Sequence, residues 1–345
     1  MASAGSRRAR ATTKKPRAGS RADGAGPGAR GAPGRARAGM AAALIAIDWG
    51  TSAARAYRLD ARGRILDTRR APLGVQRVAQ GGFPAALNAL LGGPVDPGVP
   101  LLACGMIGSR QGWIEAPYRE CPADLAAIAA ALTPVPGTRL AIVPGLVCRD
   151  ADGVADVLRG EETEVLGTFD EGAEPALAHR LVVLPGTHSK WVRVGSAGIE
   201  AFATFMTGEL YALLREHSIL ARLATAGGRD AAAFARGVRA SLRDAAALSH
   251  DLFSARTLVL TGALAPAGVA DYLSGLLLGA EVAAARRWVQ GDAAEGGAVT
   301  LVGDRALCAR YRRALLLAGF TVAPGPSDAA ARGLWRIARH AGMLS

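Results

Sequence analysis

The sequence has little of what marks a secreted, zinc-bound or membrane-spanning chain. Only four of its 345 residues are cysteine, and Cys104, Cys121, Cys148 and Cys308 lie far apart with no C-x-x-C spacing. That argues against a disulfide framework or a zinc knuckle and points to a reducing, cytoplasmic setting. No uninterrupted apolar run reaches the ~18 residues of a membrane span. The longest candidate, Leu258–Ala280, is broken by Pro266 and Asp271, so no membrane partner is expected. A Gly-x-x-x-x-Gly-Lys-Ser/Thr run is also missing, which excludes a Walker-type nucleotide site.

The charge is unevenly placed. Of the net +12, residues 1–39 carry ten Lys/Arg against Asp23 alone, and the remainder is nearly neutral. Thirty of those 39 residues are Ala, Gly, Arg or Pro, a composition that cannot bury a core. The tail has no apolar stretch of a secretory signal and no helix-turn-helix pattern. A nucleic-acid-binding arm and a transit peptide are two readings of it. The preferred reading is upstream sequence translated from an early start, with Met40 as the natural first residue and no nucleic acid as partner. From Met40 on, a chain that is half hydrophobic overall is long enough for two domains.

That body alternates strands and helices, which predicts an α/β fold. Strands are expected at Leu44–Asp48, Ala54–Leu59, Arg64–Thr68, Pro100–Cys104, Leu140–Val143, Leu181–Leu184, Lys190–Val194, Ile199–Phe205, Leu258–Leu260, Thr300–Val302 and Thr321–Ala323. Helices are expected at Gly82–Leu91, Pro122–Leu132, Gly160–Phe169, Gly208–His217, most of Ala231–Leu248, Asp304–Ala318 and Asp328–His340. One pattern occurs twice. L-I-A-I-D-W-G-T-S at Leu44–Ser52 is an apolar strand, a Gly-Thr turn and a returning strand, and L-V-V-L-P-G-T-H-S at Leu181–Ser189 repeats it. The repetition predicts two similar domains facing one another, at 40–158 and 159–345.

Both loops read as phosphate-binding. Gly50 and Gly186 would let backbone N–H groups approach an anion, and Thr51, Ser52, Thr187 and Ser189 supply hydroxyl donors. Asp48 at its strand end suits a Mg²⁺ ion held through water. Two such loops would grip a triphosphate from both sides. Two ordinary hairpin turns built from small residues are the simpler alternative.

Taken in order, D-W-G-T-S, G-M-I-G-S-R-Q-G-W, R-G-E-E-T, L-P-G-T-H-S-K-W and F-A-T-F-M-T-G-E-L-Y resemble the 2-dehydro-3-deoxygalactonokinase family, from about Leu44 to about Ala341. That family is a branch of the sugar-kinase, actin and Hsp70 ATPase superfamily. The resemblance implies two ribonuclease-H-like domains around an interdomain cleft, with ATP and Mg²⁺ as cofactors. The implied reaction is phosphorylation of 2-dehydro-3-deoxy-D-galactonate on its 6-hydroxyl, in galactonate catabolism. Asp48, Gly50, Thr51 and Ser52 match the first phosphate motif, and Gly186, Thr187 and His188 the second. Leu184-Pro185 stands where a second carboxylate would be, so the metal rests on Asp48 and the phosphates. Gly303 and Asp304 resemble the adenosine motif, and Ala331 and Gly333 the small residues of a hinge helix.

Alcohol phosphorylation needs a carboxylate to take the hydroxyl proton. In related kinases a Gly-Asp pair opening a helix supplies it; here Gly160-Glu161 stands there, and Glu161 is the expected base. Asp156 and Glu209 are held in reserve, and a mere helix-dipole role for Glu161 is the alternative. An α-keto acid also needs a cation, and Arg110, with Gln111 and Trp113 in a Gly-flanked loop after a strand, is the expected partner. A kinase for another sugar acid or polyol is the rival on substrate. A sugar-acid-sensing regulator is the rival on class.

Overall fold

The computed structural model describes residues 41–169, 180–289 and 298–344, so the basic tail and every reading of it lie outside the described residues. From Met40 onward the chain forms one compact unit. Its first stretch runs β1 (Leu44–Trp49), β2 (Ala54–Leu59), β3 (Ile65–Ala71), α1 (Phe83–Leu91) and β4 (Leu101–Gly105). It continues with β5 (Arg119–Glu120), α2 (Leu125–Ala129), β6 (Thr133–Pro134), β7 (Leu140–Ile142), β8 (Leu146–Arg149), β9 (Ala155–Leu158) and α3 (Glu161–Leu166). Next come β10 (Arg180–Leu184), β11 (Ser189–Gly195), β12 (Gly198–Phe205), α4 (Thr207–His217), α5 (Ala231–Arg243), α6 (Leu248–Leu260) and α7 (Val269–Val289). The chain closes with β13 (Val299–Leu301), α8 (Arg305–Leu317), β14 (Val322–Pro324) and α9 (Ala329–His340).

The internal echo in the sequence is an echo in topology. One sheet has the order β3-β2-β1-β4-β7-β6 and the other β12-β11-β10-β13-β14. In each, a central strand pairs antiparallel with the strand that follows its Gly-Thr turn and parallel with the next strand inward, β1 with β4 and β10 with β13. Central strands in such sheets are covered on both faces and therefore read as continuous apolar runs. β1 is buried almost end to end, and so is β10 from Leu181.

One apolar cluster runs through both sheets. Leu44 and Ala46 of the first sheet and Val182, Leu184 and Val192 of the second share it with Leu334, Trp335 and Ile337 on α9. Each large apolar side chain fully buried there is worth ~1.5–3 kcal/mol. α9 also crosses α3 at backbone contact: a Cβ on Gly333 would stand 1.8 Å from Thr163 O, and one on Gly167 1.9 Å from Ala329 O. Only glycine allows that approach, and it locks α3 against α9.

Three expectations change. The strand expected at Leu258–Leu260 is the last turn of α6, because a short apolar run fits a helix and a strand equally well. The helix expected over Pro122–Leu132 is only Leu125–Ala129, capped by Asp124, and Thr133–Pro134 leaves it as an edge strand. A small sheet, β5-β8-β9, and the helices α6 and α7 add to the expected elements. The apolar stretch around Asp271 lies largely in α7. The segment Pro266–Val289 has the length and composition to cross a membrane, but 78% of its most apolar 18-residue stretch is buried within the fold. Its Asp271 takes a 2.5 Å bond from Arg310.

Candidate active site

The two Gly-Thr turns meet across a cleft of about 510 Å³. Asp48, Gly50 and Thr51 line it from the first turn, Gly186, Thr187 and His188 from the second, Glu161 from α3, and Gly303 and Asp304 from the turn before α8. Nine of the expected site residues, drawn from four separate segments, therefore face one space. Ser52 is exposed but outside the lining.

Local bonding holds the turns. Gly50 N donates to Ala53 O (2.9 Å), Val75 N donates to Gly50 O (3.1 Å), and the Trp49 indole N–H donates to Leu73 O (2.6 Å). On the second turn Glu209 N donates to Thr187 O (3.0 Å), and the His188 ring is hydrogen-bonded to the Glu209 carboxylate. Glu209, a reserve candidate for the base, is thereby tied to the phosphate loop. Behind that loop, buried Glu281 on α7 accepts from Ser189 Oγ (2.8 Å), Trp191 Nε1 (2.7 Å) and Tyr311 OH (2.9 Å).

The two turn glycines need no special backbone conformation. Neither Gly50 nor Gly186 adopts a positive φ, and a Cβ on either would meet no atom closer than 3.4 Å. What they supply is a bare wall rather than a strained turn. The conformational demand falls on Gly160, at φ 108°, where a Cβ would press on Gly105 Cα at 3.1 Å. That contact seats the start of α3 against the end of β4.

Glu161 sits at that start, half-buried on the cleft wall, and accepts a 2.9 Å bond from Arg159 N. Burial pushes its carboxyl above the ordinary range, Lys190 and two backbone N–H groups pull it back, and Asp48 pushes it up again. Lys190 is itself held between Val157 O (2.9 Å) and Thr204 Oγ1 (2.7 Å). Asp156, the other reserve candidate, accepts both the backbone N–H and the hydroxyl of Thr204 at 2.7 Å and stands outside the cleft lining.

Arg55, Arg159 and Glu164 are charged residues of the cleft lining beyond the expected set. Arg55 stands directly across the strand pair from Asp48. Burial pushes the Asp48 carboxyl up while Arg55 and Arg70 pull it down. Glu164 lines the same wall and is pushed up to about 8 by burial, then by Asp48, Glu161 and Glu162. It lies three residues beyond Glu161 on α3, a spacing that puts both on one helix face. R-G-E-E-T-E carries that signal. Glu162 turns inward instead, takes bonds from Gly160 N (2.6 Å) and Thr163 Oγ1 (2.9 Å), and is pushed up to about 7 by burial and by Glu161.

The expected substrate loop lies elsewhere. The Arg110 side chain is 87% exposed and pairs with Glu115 at 3.0 Å, and neither it nor Gln111 lines the cleft. Trp113 stacks on Phe83 at 5.9 Å beside the first sheet's core. Asp304 is in place in the cleft, and its carboxylate caps α8 by accepting from Ala306 N and Leu307 N.

Two sheets of matching order, each presenting a Gly-Thr turn to a shared cleft, give the chain a doubled α/β architecture. The chain matches the 2-keto-3-deoxy-galactonokinase family over residues 48–337 and belongs to that family. It is 38% identical to the 2-dehydro-3-deoxygalactonokinase of Escherichia coli strain K12 over 303 residues, 88% of this chain and 99% of that one. A Rhizobium meliloti strain 1021 relative named a probable 2-dehydro-3-deoxygalactonokinase is 39% identical over 304 residues, 84% of this chain and 97% of that one. A crystal structure described as a 2-dehydro-3-deoxygalactonokinase protein from Sinorhizobium meliloti superposes with TM-score 0.77 at 39% identity, covering 86% of this chain and 98% of that one.

Proposed function

We propose that this chain transfers the γ-phosphoryl group of ATP to the 6-hydroxyl of 2-keto-3-deoxy-galactonate, with Glu161 as general base. The observation that carries the reading is the convergence of both Gly-Thr turns, Asp48 and Glu161 on one cleft. Glu161 takes the proton from the 6-hydroxyl as that oxygen bonds to the γ-phosphorus, and the bond from the γ-phosphorus to the bridging oxygen breaks, leaving ADP. A carboxyl held above its ordinary range by burial is a stronger base once ionised, and Lys190 favours the ionised form. Thr51, Thr187 and His188 give the phosphate oxygens donors from both sides of the cleft. Gly303, at φ 133°, leaves a bare edge for the adenine.

The residues present fit Mg²⁺. Asp48 and Glu164 are hard oxygen donors on one wall, and Asp48 raises the affinity of Glu164 for a proton, a repulsion that a cation between them would relieve. Held there with ATP, the ion would supply positive charge that offsets the charge of the transferring group. The 6-hydroxyl acceptor, rather than a sensor's role, is supported by the base and the phosphate turns occurring together.

The test is ADP release from MgATP against a panel of 2-keto-3-deoxy sugar acids, aldoses and polyols. Turnover confined to the galactonate-derived acid is the expected result. Turnover on another member alone would replace the substrate, and silence with intact sugar-acid binding would favour a sensor.

A further inference from the structure

Arg159 joins β9 to α3 and lines the cleft, yet it is only 8% exposed and has no carboxylate partner among the described residues. Its Nη2 donates to Ala116 O at 2.8 Å, and the guanidinium lies 4.3 Å from the centre of the Tyr118 ring. Its Nε and Nη1 are closed off from water and have no acceptor. A buried cation with two orphaned N–H groups is costly to keep, and an arginine cannot shed its charge to relieve the cost. Three other buried charges are answered: Glu162 by Gly160 N and Thr163, Lys190 by Val157 O and Thr204, Glu281 by three side-chain donors. Arg159, unlike them, is prepared for an anion that the described chain does not provide.

We infer that Arg159 is the partner of the substrate's α-keto carboxylate and sets the preference for an acid over a neutral sugar. The inference rests on the kinase reading above. Three features hold the guanidinium in readiness: the Tyr118 face, the Ala116 carbonyl, and Gly108, on which a Cβ would stand 3.0 Å from Nη1. Because both orphaned atoms are covered, the Met106–Gly108 turn must lift for the carboxylate to reach them. The same residue's backbone N–H holds Glu161, so an acid bound by Arg159 is anchored on the segment that carries the base. Arg110, exposed and already paired, lacks all of these features.

The experiment compares 2-keto-3-deoxy-galactonate with its methyl ester as acceptors, for the wild type, Arg159→Met, Arg159→Lys and Arg110→Met. The wild type prefers the acid. Arg159→Met raises the KM for the acid roughly 10- to 100-fold, the scale of a charge-assisted contact, and leaves the ester unchanged, so the preference disappears. Arg159→Lys recovers part of the preference, and Arg110→Met keeps all of it. If Arg159→Met does not fold, a weakened preference in Arg159→Lys and in Gly108→Ala, which crowds Nη1, supports the inference in its place. An unchanged preference in the Arg159 variants, or its loss in Arg110→Met, overturns the inference while leaving the kinase reading intact. A wild type that phosphorylates neither acceptor overturns that reading, and this inference with it.

Discussion

The two halves of the cleft share a design and divide the charge. Asp48 on β1 faces Arg55 on the returning strand, and at the equivalent place Leu184 on β10 faces Lys190. The first turn thus offers a carboxylate to the cleft, balanced across the strands. The second offers none, and its strand cation is turned to the wall beside Glu161. The supports behind the turns differ in the same sense. The Trp49 indole is anchored on a backbone carbonyl, whereas the Trp191 indole is anchored on the buried Glu281 carboxylate. On the proposed reading the doubled scaffold has one metal-facing end and one base-facing end, so equivalent substitutions in the two halves should have unequal effects.

The largest expected inequality is at the strand ends. Asp48→Asn should lower kcat by roughly 10³-fold, the scale of lost electrostatic stabilisation at a transferring phosphoryl group. Leu184→Asp, which copies the carboxylate into the other half, should not restore activity to that variant. Steady-state kinetics at saturating MgATP checks both. Restoration by the copied carboxylate would mean that the two ends are interchangeable.

Next comes the base-facing end. Glu161→Gln should lower kcat by at least ~10²-fold, the usual contribution of a general base. Wild-type turnover in that variant would return attention to Glu209 or Asp156. Lys190→Met should move the acidic limb of the kcat profile upward, because Lys190 is the largest influence lowering the Glu161 carboxyl. Activity falls as pH falls through that group's pKa, so losing the cation costs activity first at the acidic end. Arg55→Met, the matching change in the first half, should leave that limb in place.

How far the sequence foretells this division depends on where the information lies. Asp48, Thr51, Gly186 and Thr187 are legible because phosphate chemistry needs their residue types at strand ends, and strand ends are local signals. The doubled sheet is legible because a central strand's apolar run followed by Gly-Thr occurs twice. Arg159 is not legible as a buried group: its burial depends on Ala116, Tyr118 and Gly108, which are distant in sequence. Arg110 is favoured by its Gly-flanked loop, but a loop's composition says nothing about which way it faces. The β5-β8-β9 sheet escapes because its first strand is only two residues long and exposed. Glu164 needs only the three-residue spacing from Glu161 to be counted.

A smaller effect should appear in stability, with its largest contributions from Glu162 and Glu164 on α3. Glu162 and Glu164 are pushed up to about 7 and about 8 from an ordinary 4.5. Between 4.5 and those values the folded form binds more protons than the unfolded form, so stability falls as pH rises through that window. The Tm of the ligand-free protein should therefore drop between mildly acidic and mildly alkaline pH. Glu164→Gln should flatten part of the slope. If Asp48 and Glu164 face a common Mg²⁺, adding the ion should raise the Tm more above pH 8 than below pH 7, and Glu164→Gln should erase the difference. Equal shifts at both pH values would separate Glu164 from the metal.

The smallest effect is expected behind the second turn. In Glu281→Gln the amide oxygen can keep accepting from Ser189 and Trp191, which the indole requires, since its N–H only donates. The amide NH₂ then faces Tyr311, whose hydroxyl can accept as readily as donate. Burial already pushes the Glu281 carboxyl up, toward the neutral form that glutamine resembles. Glu281→Gln should therefore shift the Tm by only ~2–4 °C and raise the KM for ATP only slightly. Glu281→Ala strands buried donors at ~1–3 kcal/mol each and should weaken ATP far more than it weakens the sugar acid. Thermal melts and the two KM values read this directly. If glutamine instead loosens ATP strongly at an unchanged Tm, the charge of Glu281 shapes the phosphate turn, and the second half carries a hidden carboxylate of its own.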